Sequence, residues 1–110
     1  MNYRLSATAE ADLDDIARFT VANFGAAQAN SYRSLILRAL DSIADNPLRP
    51  SSHAQGEIRE GLRSFRITLA GARASMASHS LWYLEPAPGA DTVFVLRILH
   101  ERMAPELHLS

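Results

Sequence analysis

A nearly unbroken run of apolar residues close to the C-terminus constrains the fold more than any other part of the chain. The run extends from Val93 to Leu99, is rich in β-branched residues, and contains one charge, Arg97. Such a run predicts a strand that is buried on both faces within a sheet. A charge inside a strand of this kind is unfavourable unless it is paired or directed at a partner. We therefore expect Arg97, and the charged cluster from His100 to Arg102 that follows it, to make specific interactions.

Two segments with helical periodicity come before this strand and predict a helical hairpin. Residues 3–5 form a short opening strand, after which Ser6 or Thr8 is a candidate N-cap for an amphipathic helix of about four turns. Gly25 is placed to end this helix. A second helix follows and stops before Pro47, because proline disfavours helical backbone at the preceding residue. An acidic run at the start of the first helix is interpreted as a solvated face that complements the helix dipole: Glu10, Asp12, Asp14 and Asp15.

The region after the second helix changes to strand-like periodicity. Residues 47–56 are rich in proline and serine and are interpreted as a loop. Three alternating apolar residues then predict a strand: Phe65, Ile67 and Leu69. Leu62 is out of phase with them, which suggests a β-bulge near Gly61. Residues 70–73 are interpreted as a turn.

Two further strands complete the predicted fold, at residues 77–84 and, after a long hairpin loop, at residues 92–99. The predicted order of elements is β-α-α-β-β-β, and the length of the chain predicts one domain over residues 1–110. Its class is α+β, with the helical hairpin packed on a mainly antiparallel sheet. Trp82 and Tyr83 would lie on opposite faces of their strand, one in the core and the other at least half exposed.

The composition is typical of a globular protein. Of 110 residues, 47% are hydrophobic and 21% are charged, and the formal net charge is −1. The strongly basic class of nucleic-acid-binding proteins is therefore excluded. The sequence has no cysteine and no apolar stretch long enough to cross a membrane, and its first six residues lack the apolar core that is typical of a signal peptide. We expect a cytoplasmic protein that does not bind membranes.

All eleven basic residues are arginine, so cationic interactions depend on guanidinium groups, which remain charged and bind carboxylate or phosphate with paired hydrogen bonds. Four of them fall within fifteen residues: Arg59, Arg63, Arg66 and Arg73. This pattern has two interpretations. It is either a basic sheet face that meets phosphate or an acidic partner, or a set of solvated charges that suppress edge-to-edge strand pairing.

No motif for a cofactor or a metal is found. The sequence has no glycine-rich phosphate loop, and His79, His100 and His108 lack the spacing that helical metal ligands use. We therefore expect neither a cofactor nor a metal. The cluster of His100, Glu101 and Arg102 is a candidate for acid–base chemistry, because histidine titrates near neutral pH.

One set of segments carries a family resemblance. It comprises Tyr3-Arg4-Leu5-Ser6 with Ala9, Asp12-Leu13 and Ile16, then Phe24-Gly25-Ala26-Ala27-Gln28-Ala29, Ala44-Asp45-Asn46-Pro47, Gly61-Leu62-Arg63-Ser64, His79-Ser80-Leu81-Trp82-Tyr83, and Arg97-Ile98-Leu99-His100-Glu101-Arg102-Met103 followed by the terminal His108-Leu109. In order and spacing these segments resemble the ParE-type toxins of the RelE/ParE superfamily of bacterial toxin–antitoxin modules. The resemblance covers almost the whole chain and implies the same two-layer fold that the periodicity predicts.

The resemblance implies a non-enzymatic toxin that inhibits DNA gyrase by binding to it and that a ParD-like antitoxin neutralises in a hetero-oligomer. The toxin alone would not bind DNA sequence-specifically. The residues implied to bind the target are Arg97, His100, Arg102 and Met103. Residues expected to bind the antitoxin lie on the rim of the hairpin and on the arginine-bearing part of the sheet: Phe19, Phe24, Tyr32, Arg59, Arg63 and Arg66.

Two other functions stay open at this point. An RelE-like ribosome-dependent mRNA endonuclease would use cationic side chains together with a C-terminal tyrosine or histidine. This chain has no lysine and no tyrosine after Tyr83, and it offers a reduced set of Arg63, Arg97 and His100. The other possibility is a member that binds its antitoxin but has lost toxicity, because the stretch from Thr68 to Ser78 is longer than in the simplest family members.

Overall fold

The computed structural model describes residues 1–70 and 78–109. Its elements are β1 (Asn2–Leu5), α1 (Ala7–Phe24), α2 (Ala26–Asp45), β2 (His53–Ala54), β3 (Leu62–Arg66), a 3-10 turn (Ile67–Ala70), β4 (His79–Leu84), β5 (Thr92–His100) and α3 (Glu106–Leu109). This order confirms the predicted α+β class. The structure adds a two-residue strand inside the predicted loop and a short helix after the last strand.

Within the described ranges the strands form one five-stranded sheet in the order β1-β5-β4-β3-β2. β5 pairs with β1 in parallel and with β4 antiparallel, so the prediction that the apolar run is an interior strand is confirmed. The prediction that both of its faces are buried is wrong at Phe94, which is 50% exposed. Phe94 alternates with Val93 and Val95, which face the helical hairpin, and it therefore lies on the opposite face of the sheet.

The helical hairpin is defined by local capping. The side chain of Ser6 accepts a hydrogen bond from the amide of Ala9 at 2.9 Å, which confirms Ser6 as the N-cap of α1. Gly25 has φ of +89°, a value that L-residues with side chains rarely adopt. It both ends α1 and begins α2, so the predicted helix end is confirmed. α1 is longer than the expected four turns, with 18 residues.

The main core lies between the hairpin and the sheet. α2 contributes its apolar stripe, and the sheet contributes alternate residues, among them Phe65, Leu81 and Tyr83. Tyr83 is fully buried, and its hydroxyl donates a hydrogen bond to the carbonyl of Pro47 at 2.6 Å. That bond fixes the end of the hairpin to the sheet, because a buried hydroxyl without a partner would be costly.

A second hydrophobic cluster lies on the other face of the sheet, where α3 covers it. Its buried members are Leu62, Trp82, Leu99 and Leu109. Trp82 and Tyr83 do lie on opposite faces, but the expected exposure of one of them is wrong, because Trp82 is only 9% exposed. The physical reason is the short α3, which places Leu109 over this face.

The irregularity of the sheet lies in a different place from the predicted one. β3 and β4 pair in regular register from Leu62 to Arg66, so the bulge expected near Gly61 is not found there. Leu62 is out of phase because its side chain belongs to the second cluster. The strand also ends at Arg66, and a 3-10 turn begins at Ile67, where the alternation predicted a continuing strand.

A register shift occurs instead between β4 and β5. Trp82 pairs with Arg97, whereas the next residue, Tyr83, pairs with Val95, so β5 contains one extra residue. Side chains beyond the shift change phase, which is why Val95 and Ile98 both belong to the main core. β4 begins at His79, two residues after the predicted start, and residues 71–77, with most of the predicted turn and the first residue of the predicted strand, lie outside the described residues.

Candidate interaction surfaces

The charge in the interior strand has a partner on α1. Arg97 donates from Nε to Oδ2 of Asp12 at 2.8 Å and from Nη2 to Oδ1 at 2.9 Å. The exposed fractions of the two side chains are 18% and 13%. The hydrogen-bonded carboxylate raises the pKa of Arg97 above its ordinary value. The expectation that Arg97 has a specific partner is confirmed, and the interpretation of Asp12 as part of a solvated face is wrong.

Asp12 and Arg97 each make one further polar contact. The backbone amide of Ile98 donates to Oδ2 of Asp12 at 3.0 Å. The remaining nitrogen of the guanidinium, Nη1 of Arg97, donates to Nδ1 of His108 on α3 at 3.3 Å. Asp12, Arg97 and His108 therefore form a chain of polar contacts that links α1, β5 and α3.

A tight turn follows β5 and arranges the side chains after it. The amide of Met103 donates to the carbonyl of His100 at 2.9 Å, and the amide of Arg102 donates to Nδ1 of the same histidine at 3.1 Å. The side chains of Arg102 and Met103 are exposed. Among the four residues predicted to bind the target, the turn therefore presents these two to solvent, while Arg97 and His100 make contacts within the molecule.

A polar cluster lies under α2 at the same end of the sheet. His79 and His100 are directly paired across β4 and β5, with ring centroids 5.1 Å apart. The hydroxyl of Tyr32 lies 2.6 Å from Nδ1 of His79 and accepts a hydrogen bond from the amide of Ser78 at 3.3 Å. The hydroxyl satisfies both neighbours if it donates to Nδ1, which places the proton of neutral His79 on Nε2. The expectation that Tyr32 lies on the exposed rim is wrong, because it is 8% exposed and packs in the core.

Burial controls the protonation of His79 and Tyr32 in this cluster. Desolvation, together with the neighbouring His100, lowers the pKa of His79 to about 4, and the carboxylate of Asp12 opposes this shift. Desolvation also raises the pKa of Tyr32. Both groups are therefore uncharged at neutral pH, and His79 acts there as a hydrogen-bonding group.

The arginines expected to face a partner have different environments. Arg63 donates from Nε and Nη2 to the hydroxyl of Ser52, at 3.0 and 2.8 Å, and from Nη1 to Glu85 at 3.1 Å. Its side chain is therefore largely committed to holding the loop before β2. Arg66 is exposed and pairs with Glu101 at 3.5 Å, and Arg59 is exposed in the turn before β3. Arg73 lies outside the described residues.

The rim of the hairpin is apolar where α1 meets α2. Phe19 is 63% exposed and Phe24 is 67% exposed, and Val21 between them is also exposed. These side chains occupy the last two turns of α1, next to the junction at Gly25. Phe19 and Phe24 therefore have the exposure that the prediction of a docking surface requires.

Two classes of site have no candidate in the part of the chain that the structure describes. Residues 1–70 and 78–109 hold no group of three or more histidine, aspartate or glutamate side chains able to bind a metal ion. Across the same ranges no helix is long and apolar enough to span a membrane.

The fold places the chain in a known class of small two-layer α+β proteins. It is similar to a solved chain described as "Chromosomal ParDE TA system from P. aeruginosa", with a TM-score of 0.68 and 19% sequence identity. The match covers 91% of this chain and 95% of that one. The identity is low, so this likeness supports the fold alone.

Sequence comparison then gives the family. The family model described as "ParE toxin of type II toxin-antitoxin system, parDE" matches residues 3–105. Toxin ParE1 of Mycobacterium tuberculosis is 35% identical over 107 residues, which is 97% of this chain and 96% of the relative. Toxin ParE1 of Caulobacter vibrioides is 31% identical over 109 residues, or 98% and 97% of the two chains. The chain belongs to the ParE toxin family of type II toxin–antitoxin systems.

The sequence assigned no structural role to two residues that organise these surfaces, Asp12 and Leu109, although both lie in segments that carry the family resemblance. Asp12 looked like one of four similar acids, and the spacing of acids along one helix does not say which of them faces a strand 85 residues away. Leu109 lies in a four-residue helix, which is too short to leave a periodic pattern. The signal that pointed to Asp12 was indirect, namely the charge in an apolar strand.

Proposed function

We propose that this ParE toxin inhibits DNA gyrase by binding to it, with no chemistry of its own, and that a ParD-like antitoxin neutralises it. The observation that carries the proposal is that the family match over residues 3–105 includes β5 and the turn that exposes Arg102 and Met103. This function is exercised in the cytoplasm, where gyrase acts.

The surface after β5 supports a binding role. Arg102 and Met103 follow a strand held on both sides by neighbouring strands, so their backbone is presented in a defined geometry. An exposed arginine beside an exposed apolar side chain is typical of residues that contribute strongly to protein interfaces. We assign target binding to these two residues and a supporting role to Arg97 and His100.

The environment of the cationic groups supports binding over catalysis. Arg63 and Arg97, two members of the reduced endonuclease set, are held by separate acids, Glu85 and Asp12. A guanidinium held in an ion pair is less available to stabilise the charge of a reacting phosphate. We therefore favour a toxin that inhibits its target by binding to it, and not by catalysing a reaction.

Phe19 and Phe24 support a docking site for the antitoxin on the rim of the hairpin. Exposed aromatic side chains of this kind suit a segment that folds on binding, because such segments wrap large surfaces for their length. Arg59 and Arg66, both exposed, extend the proposed contact onto the sheet half. Tyr32 and Arg63 are omitted from it, because they are committed within the fold.

Expression from a tightly repressed promoter in a bacterium tests the target. We expect growth arrest, filaments and an SOS response while pulse-labelled protein synthesis continues, and we expect the purified chain to inhibit plasmid supercoiling by gyrase. The control is Arg102→Ala, which should fold normally and lose both effects. Collapse of protein synthesis within minutes, with intact DNA, would identify an endonuclease. Unimpaired growth of cells that contain folded chain would identify a non-toxic member.

A further inference from the structure

The carboxylate of Asp12 lies where the parallel pairing of β5 ends. The register of β1 and β5 stops at the pair Leu5 and Val95, and the hydroxyl of Ser6 then donates to the carbonyl of Leu96 at 2.8 Å. Further along β5, the backbone amide of Ile98 donates a hydrogen bond to Oδ2 of Asp12 at 3.0 Å. The side chain of Asp12 on α1 therefore accepts a backbone hydrogen bond from β5 at a position where β1 has already ended.

Arg97 connects Asp12 to the face of the sheet that lies opposite the helical hairpin. It is paired across β4 and β5 with Trp82, so the two residues share the face that bears the second cluster. From that face its guanidinium binds Asp12 with two nitrogens and His108 of α3 with the third. A guanidinium has a planar array of donors, and it suits this arrangement because one rigid group can bind two partners at once.

α3 depends on such contacts for its position. A helix of four residues has no stability of its own in water. It is held to the sheet by Leu109, which is 3% exposed in the second cluster, and by the contact of His108 with Arg97. These two neighbouring residues lie in the same turn, so losing the contact of His108 removes a restraint on the rotation of the helix about Leu109.

We infer that Asp12 is a positioning residue for the tail, residues 101–109, and that it acts through Arg97 and His108. The inference rests on the proposed function only where it concerns gyrase, because the tail is the proposed target-binding segment. Asp12 holds the guanidinium in the orientation that reaches His108. Without the carboxylate, the flexible side chain of Arg97 is no longer held in one orientation, and α3 loses the restraint that it receives through His108.

The test uses the full chain labelled with 15N, in three variants: Asp12→Asn, His108→Ala and the two combined. The matched control is Asp14→Asn, which removes an exposed carboxylate of the same helix. The measurement is the heteronuclear NOE of the amides of residues 107–109, with those of α2 as the internal reference. In the unchanged chain we expect both sets to have the values of ordered backbone.

Asp12→Asn should lower the tail values at least twofold and leave α2 unchanged, whereas Asp14→Asn should change neither. His108→Ala should give the same loss, and the double variant no further loss, because both changes break one chain of contacts. Unchanged tail values in Asp12→Asn overturn the inference. An equal fall in α2 also overturns it, because Asp12 would then hold the whole fold.

Inhibition of gyrase by the same variants separates this inference from the proposed function. We expect Asp12→Asn to require at least a tenfold higher concentration for half inhibition, with Asp14→Asn equal to the unchanged chain. Full inhibition by a chain with a mobile tail would refute the tail as target-binding segment and leave the positioning role supported. A chain that never inhibits gyrase would refute the proposed function, and the NOE values would still decide the role of Asp12.

Discussion

At the scale of single residues, the polar groups of this toxin divide into those that hold the fold and those that face solvent. Arg63 and Arg66 illustrate the difference, because they lie three positions apart on β3. Arg63 is bound by Ser52 and Glu85, whereas Arg66 has one exposed ion pair. Residue type alone therefore does not identify an arginine that is available to a partner.

Replacement of Arg63 tests this division. Arg63→Ala should lower the free energy of unfolding by about 1–3 kcal/mol, because it removes charge-assisted hydrogen bonds to a buried serine. Arg59→Ala, at an exposed position, should change it by less than about 0.5 kcal/mol. Urea denaturation measures both. Equal and small effects would show that Arg63 is not structural.

The buried histidine predicts a pH dependence of stability. The folded chain holds the pKa of His79 at about 4, below its ordinary value of 6.5. The unfolded chain therefore takes up a proton first, so this contribution to stability is complete above pH 6.5 and is lost as the pH falls towards 4. Among the described residues, the titratable groups that contact or influence it are Tyr32, His100 and Asp12.

Between pH 7 and pH 5 the urea midpoint of the unchanged chain should fall, and that of His79→Gln should fall less, because glutamine does not titrate. His53→Gln, at an exposed position, is the control and should behave as the unchanged chain does. A parallel decline in all three chains would assign the pH dependence to other groups.

At the scale of elements, α3 contributes more than its length suggests. One face of the sheet is covered by two long helices, and the other carries a smaller cluster that α3 closes through Leu109. The tail that carries the proposed target-binding residues therefore also contributes, through α3, to the second hydrophobic cluster. Changes in the tail that reach Leu109 affect both stability and activity.

Two leucines of α3 separate these effects. Leu109→Ala should lower the free energy of unfolding by about 2 kcal/mol, because it removes a buried side chain from the second cluster. Leu107→Ala, which is 82% exposed, should change it by less than about 0.5 kcal/mol. Thermal unfolding followed by circular dichroism gives both values. A loss of stability in Leu107→Ala alone would reverse the assigned orientation of α3.

At the scale of the whole molecule, the proposed antitoxin and target surfaces lie on different elements. The apolar rim belongs to the end of α1, and the exposed Arg102 and Met103 follow β5. The polar chain from Asp12 to His108 runs between the element with the rim and the element with the tail.

Binding of the antitoxin should stabilise the fold. A ligand that binds the folded chain alone adds about 2.7 kcal/mol at one hundred times its dissociation constant, so the melting temperature should rise when the cognate antitoxin is added in excess. Phe19→Ser and Phe24→Ser should reduce the rise. Leu48→Ser is the control, because Leu48 is similarly exposed but lies beyond the other end of α2. An undiminished rise in both phenylalanine variants would place the antitoxin elsewhere.

The sequence by itself determined the class of fold, the capped helical hairpin, the interior apolar strand and the family. The fold features follow from local signals, namely periodicity, a capping serine, a glycine placed between the two helices and a helix-stopping proline, whereas the family follows from the order and spacing of the segments that resemble it. Local signals also required Arg97 to have a partner, without saying which one.

Only the tertiary structure decided that this partner is Asp12, that Tyr32 and Trp82 are buried, and that β5 changes phase beside Trp82. Each of these outcomes depends on contacts between residues far apart in the chain. Such contacts form only when complete elements pack against one another. The local conformational preferences of a residue therefore do not indicate which surface its side chain will contact.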